Sequence, residues 1–401
     1  MKETEMKRVP KLRFPEFTDD WEQRKLGEIY TERNERGNDN LEILSVSIHH
    51  GVSSGELDSN VLGKNVKRSE DKSLYKHVYE GDLVFNMMRA WQGAIGIVKN
   101  EGMISPAYIS AIPNKNVYSK FMDYCLRRDE VINQINNLSY GVTDFRKRLY
   151  WNGFTKVNIM LPSVQEQDKL TELFHNLDKF ITLQQRKIKN LKSLKKGMMQ
   201  KLFNQEVRFK ADDGSEFPEW EKKPFGDVVS EFKVKTKVED EDTLLSCAIN
   251  GMFLNSELFG HQRGQSNIGY LKIKKGTLIL SAQNLHLGNA NVNLRFEHGI
   301  ISPAYKTYDI VGCLAEYMSQ WAKWDMTKQF FYNATTVGAS ECRRNVDWNM
   351  LYSQLFAVPF LAEQQKIAEC LSALDDVIEK QKATLAAWEE LKKGLLQQMF
   401  V

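Results

Sequence analysis

Apolar residues recur at alternating steps of four and three along two long segments of the chain. In the first segment they are Leu170, Phe174, Leu177, Ile181, Ile188, Leu191, Met198 and Leu202, and in the second they are Ile367, Leu371, Leu374, Ile378, Leu385, Trp388, Leu395 and Met399. This spacing is the heptad pattern of a coiled coil. Each stripe covers about 40 residues without proline, which is longer than a typical globular helix. The alternative is that each helix packs on the core of its own domain. The matching stripes favour two helices, over 161–205 and 361–401, that pair with each other.

Polar residues occupy equivalent positions in both stripes. Gln184 and Lys195 lie in the first stripe, and Gln381 and Lys392 lie at the same points of the second. Polar residues in a coiled-coil seam cost stability and can fix its register. We therefore expect these four residues to specify how the helices pair.

The remainder of the chain carries short apolar runs bounded by glycine, asparagine or aspartate. Such runs, rich in β-branched residues, are typical of strands. They are "LEILSVSI" (41–48), "GDLVFNMM" (81–88), "GAIGIV" (93–98), "GTLILSA" (276–282) and "SQLFAVPF" (353–360). Helix-like stretches at 119–135 and 313–324 lie between them. The pattern predicts two mixed α+β domains, over 1–160 and 206–360.

The two halves of the chain repeat each other. "ISPAY" at 104–108 recurs at 301–305, an offset of 197 residues, and the same offset places "LKKG" (194–197) over 391–394. With short gaps, Trp21 and "LGEI" (26–29) match Trp220 and "FGDV" (225–228). The predicted fold is therefore a tandem repeat with pseudo-two-fold symmetry: two similar α+β domains joined by two long helices that form an antiparallel coiled coil.

Composition excludes several classes of protein. Apolar residues make up 42% of the chain, charged residues 27%, and the net charge is +3, as in ordinary globular proteins. No apolar run is long enough to cross a membrane, and no secretory signal is evident at the N-terminus. The five cysteines are scattered without a Cys-x-x-Cys pair, which favours reduced thiols in a cytoplasm over a disulfide framework or a zinc site.

Familiar catalytic motifs are absent from the sequence. It contains no Walker A loop, no Gly-x-Gly-x-x-Gly, no His-Glu-x-x-His and no Gly-x-Ser-x-Gly. Glu221 and Lys223 form a Glu-x-Lys of the kind found in some nucleases, but in so charged a sequence the match carries little weight. We expect no catalytic residue and no metal site in this chain.

Several duplicated segments resemble the specificity subunit of type I restriction–modification systems. They are "LRFPEF" (12–17) followed by Trp21 and "LGEI", "GDLVF", "ISPAY", and the "LP" and "EQ" at the start of the first heptad helix, which correspond to "VP" and "EQ" at the start of the second. The resemblance covers essentially the whole chain. It implies that each α+β domain is a target-recognition domain that reads one half of a split, asymmetric site in double-stranded DNA. It also implies that the helices set the gap between the half-sites.

The same resemblance implies partners and their cofactors. Two modification (methyltransferase) subunits would dock on the helices and carry S-adenosylmethionine. Two restriction subunits would supply ATP- and Mg-dependent translocation and cleavage. No cofactor is expected in this chain, no membrane is involved, and the location is the cytoplasm of a bacterium, in association with DNA.

Positions that differ between the copies are candidates for base reading, since the halves of a split site normally differ. Arginine pairs with guanine in the major groove, and asparagine or glutamine pairs with adenine. The candidates are His49, His50, Arg89, Trp91 and Gln92 in the first domain and Asn250, Gln283, Asn284 and His286 in the second. The alternative is that these are ordinary turn residues, and for Trp91 a packing role is favoured.

A basic segment present in both copies is a candidate for sequence-independent contact with phosphates. It comprises Thr143, Arg146, Lys147 and Arg148 in the first copy and Ser340, Arg343 and Arg344 in the second. We expect a loop in both copies. The alternative is a solvated cluster of charges.

Two other functional classes are compatible with this pattern. One is a two-headed scaffold that binds proteins, and the other is a nuclease that uses Glu221 and Lys223. Steep loss of duplex binding with rising salt distinguishes DNA recognition from the scaffold. Metal-dependent cleavage that Glu221→Ala abolishes would identify the nuclease.

Overall fold

The computed structural model describes residues 9–38, 40–48, 51–55, 72–141, 143, 146–259, 266–340 and 343–401. The chain forms two compact units of nearly equal size. The first comprises Met1–Leu183 and Leu385–Val401, and the second comprises Gln184–Thr384. Each unit therefore contains one α+β domain and half of each long helix. Within the described ranges, no helix has the length and apolar character needed to cross a membrane.

The first unit is built around a four-stranded antiparallel sheet in the order β2-β9-β6-β7, accompanied by the strand pairs β1-β10, β3-β4 and β5-β8. Its strands are β1 Glu22–Lys25, β2 Tyr30–Arg33, β3 Val46–Ser47, β4 Gly51–Val52, β5 Lys76–Val78, β6 Leu83–Asn86, β7 Ile95–Ile97, β8 Gly102–Ile104, β9 Tyr108–Pro113 and β10 Asn158–Leu161. Its helices are α1 Leu26–Ile29, α2 Ser119–Cys125, α3 Asp129–Leu138, α4 Trp151–Phe154 and the start of α5 Val164–Phe203.

The second unit repeats this topology, with a sheet in the order β12-β19-β16-β17 and the pairs β11-β22, β13-β14, β15-β18 and β20-β21. Its strands are β11 Glu221–Pro224, β12 Val229–Phe232, β13 Leu245–Ala248, β14 Gly251–Leu254, β15 Leu271–Lys274, β16 Leu278–Ser281, β17 Ala290–Val292, β18 His298–Ile301, β19 Tyr305–Ile310, β20 Thr335–Ser340, β21 Arg343–Val346 and β22 Leu355–Val358. Its further helices are α6 Asn255–Leu258, α7 Ala315–Ala322, α8 Asp325–Asn333, α9 Trp348–Ser353 and α10 Leu361–Gln398.

The helical layer differs from the sequence prediction in one respect. The stretch 119–135 is two helices, not one, and α8 follows the predicted helix at 313–324 in the second unit. Each second helix starts at an aspartate, Asp129 or Asp325, preceded by an extended residue, Arg128 or Trp324. An acidic residue in the first turn is favourable because the N-terminal end of a helix carries partial positive charge.

The apolar stripes of the long helices pack both on the domain cores and on each other. In the first unit, Phe174 lies near Phe400 from the end of α10, with ring centroids 5.7 Å apart, and Phe400 stacks on Phe121 of α2. Further along the pair, Phe180 stacks on Trp388 at 5.8 Å. The sequence prediction set these two modes of packing against each other, whereas the structure uses both.

The long helices run antiparallel. Asp178 is paired with Lys392 in the first unit, and Lys195 donates to both carboxylate oxygens of Asp375 at 2.6 Å in the second. Residue numbers rise along α5 as those of the partners fall along α10, and the two ion pairs are copies of each other at the repeat offset. Because both aspartates are about 40% exposed, the pairs contribute more to register than to stability.

The Glu-Gln pair at the start of each long helix ties that helix to its domain. Glu166 accepts two hydrogen bonds from Arg13, and Glu363 accepts two from Arg208. The next residue, Gln364, accepts from the backbone N–H of Leu314 at 2.8 Å and donates to the carbonyl of Pro359. Gln167 makes the equivalent bonds in the first unit. Both glutamates are almost completely buried, so this motif fixes the N-terminal end of each long helix to its domain.

Candidate nucleic-acid interface

The loop after the third strand of each central sheet has the same backbone in both units. In the first unit a short 3-10 turn, Ala90–Gln92, ends at Gly93 with φ 98°, and in the second the turn Leu285–Leu287 ends at Gly288 with φ 87°. This left-handed conformation favours glycine. Ala90 and Leu285 point into the cores and are buried. The shared positions therefore form the scaffold of the loop.

The outward positions of this loop carry different side chains in the two units. Arg89 occupies the position of Asn284, and both are exposed. Trp91 occupies the position of His286, and both are half-buried. Gln92 and Gln283 are also exposed. The structure thus aligns two pairs of candidates, places Gln92 opposite Leu287 and Gln283 opposite Met88, and presents most of the candidates to solvent.

Trp91 is fixed by a local contact. Its indole Nε1 donates to the carbonyl of Met88 at 3.0 Å, and the ring packs beside the apolar core. This geometry agrees with the packing role that the sequence favoured for Trp91.

A β-hairpin brings a second set of candidates beside this loop. The turn between β13 and β14 carries Asn250, which is exposed, and β14 contacts β17. Strand β17 follows the loop described above, which is called the candidate reading loop, or reading loop, and spans 87–94 in the first unit and 282–289 in the second. In the first unit, β4 contacts β7 in the same way. The α-carbon of Gly93 lies so close to Ile48 that an added Cβ would sit 3.7 Å from the Ile48 carbonyl oxygen. His49 and His50 follow Ile48 but lie outside the described residues.

The basic segment of the first unit is anchored to the reading loop. Tyr140 and Arg148 exchange two backbone hydrogen bonds, and Leu149 N–H donates to the carbonyl of Met87 at 2.9 Å. Thr143 accepts from the N–H of Arg146 in a turn. The side chains of Thr143, Arg146 and Arg148 are exposed, and Lys147 is half-buried. The loop candidates and the basic segment of the first unit are therefore joined by a direct backbone hydrogen bond.

The equivalent segment of the second unit does not have the predicted loop conformation. It forms the hairpin β20-β21, with Thr335 opposite Val346 and a register shift between Val337 and Ser340. Ser340 and Arg343 lie on its strands, and their side chains are outside the part of the structure that can be described. At the repeat offset of 197, the β-branched run "TTV" (335–337) that pairs in the second copy lies over "LSY" (138–140) in the first, and β-branched residues favour strands.

Arg344 is engaged within this hairpin. Its Nε donates to Thr335 Oγ1 at 2.7 Å, one terminal nitrogen donates to the Thr335 carbonyl, and its guanidinium lies 4.1 Å from the ring centre of Tyr332. Two of its five guanidinium N–H groups are thus engaged within the hairpin.

The tyrosine of "ISPAY" is a site residue that the sequence analysis did not single out. Tyr305 donates from its hydroxyl to the carbonyl of Cys247 at 2.8 Å, which anchors β13 of the candidate hairpin. Tyr108 hydrogen-bonds the backbone of the equivalent Val46, and burial raises the pKa of this tyrosine. The repetition of the motif was a signal that this residue performs the same task in both copies.

The chemistry of this surface is that of hydrogen-bond donors and positive charge. Its guanidinium and amide groups are those that read base edges, and its basic segment suits phosphates. Among the residues described, no three histidine, cysteine or acidic side chains gather in a way that could hold a metal ion. Glu221 and Lys223 pair with each other at 2.9 Å.

Comparison with known proteins finds similar sequences along the whole chain. Residues 18–193 match the model of the type I restriction modification DNA specificity domain. The type I restriction enzyme MjaVIII specificity subunit of Methanocaldococcus jannaschii is 23% identical over 98% of this chain and 95% of its own length. The putative MjaX specificity subunit of the same organism is also 23% identical, over 96% of this chain and 94% of its own.

Solved structures agree with this assignment at the level of the fold. The S subunit of a type I restriction–modification system from M. genitalium superposes with a TM-score of 0.57 at 14% identity, covering 98% of this chain and 99% of that one. A chain from a study of complex assembly and conformational transition in a type I system gives 0.54 at 16% identity, covering 95% and 97%. Two similar domains, paired helices and full-length relatives therefore converge, and over essentially its whole length the chain is similar to the specificity subunits of type I restriction–modification systems.

Proposed function

We propose that this chain selects the DNA sequence on which a type I restriction–modification complex acts, each unit reading one half of a bipartite, asymmetric site. The observation that carries this proposal is the reading loop, which has one backbone in both units and different outward side chains. A shared scaffold with different donors is what two unlike half-sites require. The loop, the neighbouring hairpin turn and the basic segment divide the work between bases and phosphates.

The partners follow from the same assignment. The paired helices α5 and α10 serve as a spacer between the two half-sites and as the docking surface for two modification subunits, which bring S-adenosylmethionine. Two restriction subunits bring ATP- and Mg-dependent activity. This chain contributes recognition and no catalytic residue, and it acts in the cytoplasm on double-stranded DNA.

Methylation mapping tests the proposal directly. The chain is expressed with its cognate modification subunit in a host without other methyltransferases, and modified bases are located across the genome. We expect one split motif with a fixed gap, methylated once on each strand. An unmethylated genome, from a complex shown to be assembled and to bind its methyl donor, would point instead to a protein-binding scaffold.

Single substitutions test the division of labour within the first unit. Arg89→Ala is expected to relax base choice at one position of the first half-site by about 1–3 kcal/mol, since a bidentate arginine–base pair is worth that much discrimination. Arg146→Ala should weaken binding to all duplexes alike and lower the salt slope by about one. Affinities for the mapped motif and its single-base variants, at several salt concentrations, provide both readouts. Uniform weakening by both variants would contradict the assignment of Arg89.

A further inference from the structure

A lysine from the helical layer holds the β13-β14 hairpin of the second unit. Lys323 lies between α7 and α8, and its Nζ donates to the carbonyl of Ile249 at 2.7 Å and to the carbonyl of Ala290 at 3.1 Å. It also donates to the side-chain oxygen of Asn291. Ile249 directly precedes Asn250 in the hairpin turn, and Ala290 is the second residue after the Gly288 that ends the reading loop. One ammonium group thus joins the two candidate base-reading segments.

The neighbouring carbonyls of the same hairpin strand are also held by side chains. The carbonyl of Cys247 accepts from Tyr305, and that of Ala248 accepts from Asn291 Nδ2 at 2.8 Å. Three consecutive carbonyls, of residues 247, 248 and 249, are therefore fixed by three residues from other elements. Pairing between β13 and β14 ends at Ala248 and Gly251. The position of the turn beyond that point depends on these external donors.

The first unit has the same arrangement with a different cation. Arg127 donates from its guanidinium to the carbonyl of Ile48, the residue equivalent to Ile249, at 3.4 Å. Arg127 precedes Asp129 by two residues, as Lys323 precedes Asp325. Gly96 takes the place of Asn291, and a Cβ there would lie 3.0 Å from the backbone of the hairpin. The cation is common to the two units although its surroundings differ.

We propose that Lys323 is a positioning residue for base recognition by the second unit, and that Arg127 is its equivalent in the first. Each cation fixes the carbonyl that precedes the candidate base-contacting turn, and in the second unit Lys323 also fixes the strand that follows the reading loop. The inference rests on the proposed function and goes beyond it by naming residues that act on DNA only through the backbone they hold.

The two cations differ in how they respond to pH. Burial is the main reason that the pKa of Lys323 is lowered to about 8, and Lys195 of α5 lowers it further while Cys247 of β13 opposes the shift. Asp375 of α10 and Asp325 of α8 line the same groove. Lys323 is therefore charged below about pH 8 and loses its charge above it. Arginine keeps its charge throughout this range.

Linkage separates a loss of positioning from a loss of folding. The folded-state pKa of Lys323 is lower than that of an unfolded lysine, so between about pH 8 and 10.5 the unfolded chain binds more protons and this group favours the folded state as pH rises. A decrease in recognition through that range, caused by Lys323, would not be accompanied by unfolding.

The test uses the full chain assembled with its modification subunit, and duplexes that carry the mapped motif or single-base variants of each half-site. For Lys323→Met we expect discrimination in the second half-site to fall about tenfold, the magnitude of one base-reading contact, with the first half-site unchanged. Lys323→Arg should retain discrimination. Arg127→Met should affect only the first half-site. Lys222→Met removes the same charge from an exposed position of β11, outside the long helices and the candidate segments, and serves as the control.

A pH series gives the second readout. Discrimination by the wild-type complex in the second half-site should fall between about pH 7 and 9, whereas that of Lys323→Arg should stay constant. If the Lys323→Met complex does not assemble, the comparison of the pH profiles of the wild-type and Lys323→Arg complexes still tests the inference. Unchanged discrimination in Lys323→Met, equal loss in both half-sites, or identical pH profiles would each overturn the inference while leaving the proposed function standing. A wild-type complex without any sequence preference would overturn both.

Discussion

Replacing Glu363 by alanine is expected to destabilise the second unit by about 3–5 kcal/mol, because the change removes the buried carboxylate that a largely buried guanidinium binds through two hydrogen bonds. Glu363 has no exposed side-chain surface, and Arg208 is only 17% exposed. The carboxylate also accepts from the indole Nε1 of Trp220 at 3.0 Å. One residue at the base of α10 thus satisfies three donor groups from the segment that precedes β11.

Hydrogen exchange on the full chain is the appropriate measurement, since a chain of two compact units need not unfold in one step. Amides of β12 and β19 should exchange faster in Glu363→Ala, while those of β2 and β9 provide an internal reference. Glu369→Ala, at an exposed position of the same helix, is the matched control and should leave protection unchanged. Equal protection in Glu363→Ala and the control would show that the buried ion pair does not stabilise the N-terminal end of α10 against its domain.

The first unit supplies a natural comparison for this effect. Glu166 also binds its arginine, Arg13, but the indole Nε1 of Trp21 is buried without an acceptor among the described residues. Glu166→Ala therefore breaks one contact fewer than Glu363→Ala. We expect its cost to be smaller by about 1 kcal/mol, the net value of a typical hydrogen bond.

Inserting one heptad into each long helix is expected to abolish methylation of the original motif and to create a motif with the same half-sites and a longer gap. Seven residues after Gln184 add about 10.5 Å of helix, which corresponds to at most about three base pairs at 3.4 Å each. A matching insertion after Leu385 lies, like the first, between the ion pairs Asp178–Lys392 and Lys195–Asp375. Both pairs can then form as before.

Methylation mapping of the paired insertion reads the half-sites and the gap together. An insertion in α5 alone is the control: it puts the two ion pairs out of register with each other and should abolish methylation at both gap lengths. A paired insertion that methylates the original motif would show that the helices do not set the spacing.

The features that the sequence predicted are those with long or repeated signals. The two helices were evident because their apolar stripes extend over eight positions each, and the duplication because one offset aligns both halves. The helix α8 was missed because "DMTKQFFYN" is only nine residues long, too short for its apolar residues to show a clear period. The break between α2 and α3 contains neither glycine nor proline, so nothing in the local sequence marks it.

In the candidate site, too, the sequence predicted what a repeated signal marks and missed contacts between residues that are far apart in the chain. The sequence selected the candidate reading loop by contrasting the two copies, and the structure shows that most of the selected side chains are exposed. It could not indicate that Lys323 reaches Ile249, because 74 residues separate them and only the packing of α7 against β17 brings them together. The differing conformations of the basic segments depend similarly on whether the flanking residues pair as strands.

The two ion pairs along the long helices also have a meaning for the origin of the chain. Each repeat contributes one aspartate and one lysine, Asp178 with Lys195 or Asp375 with Lys392, and each finds its complement in the other repeat. A chain with a single repeat would therefore carry both halves of a self-complementary, isologous interface. Such an ancestor would assemble as a homodimer and read an inverted repeat in DNA. Duplication and fusion of its gene would then free each half to diverge, turning a palindromic target into an asymmetric one without any change in how the helices meet.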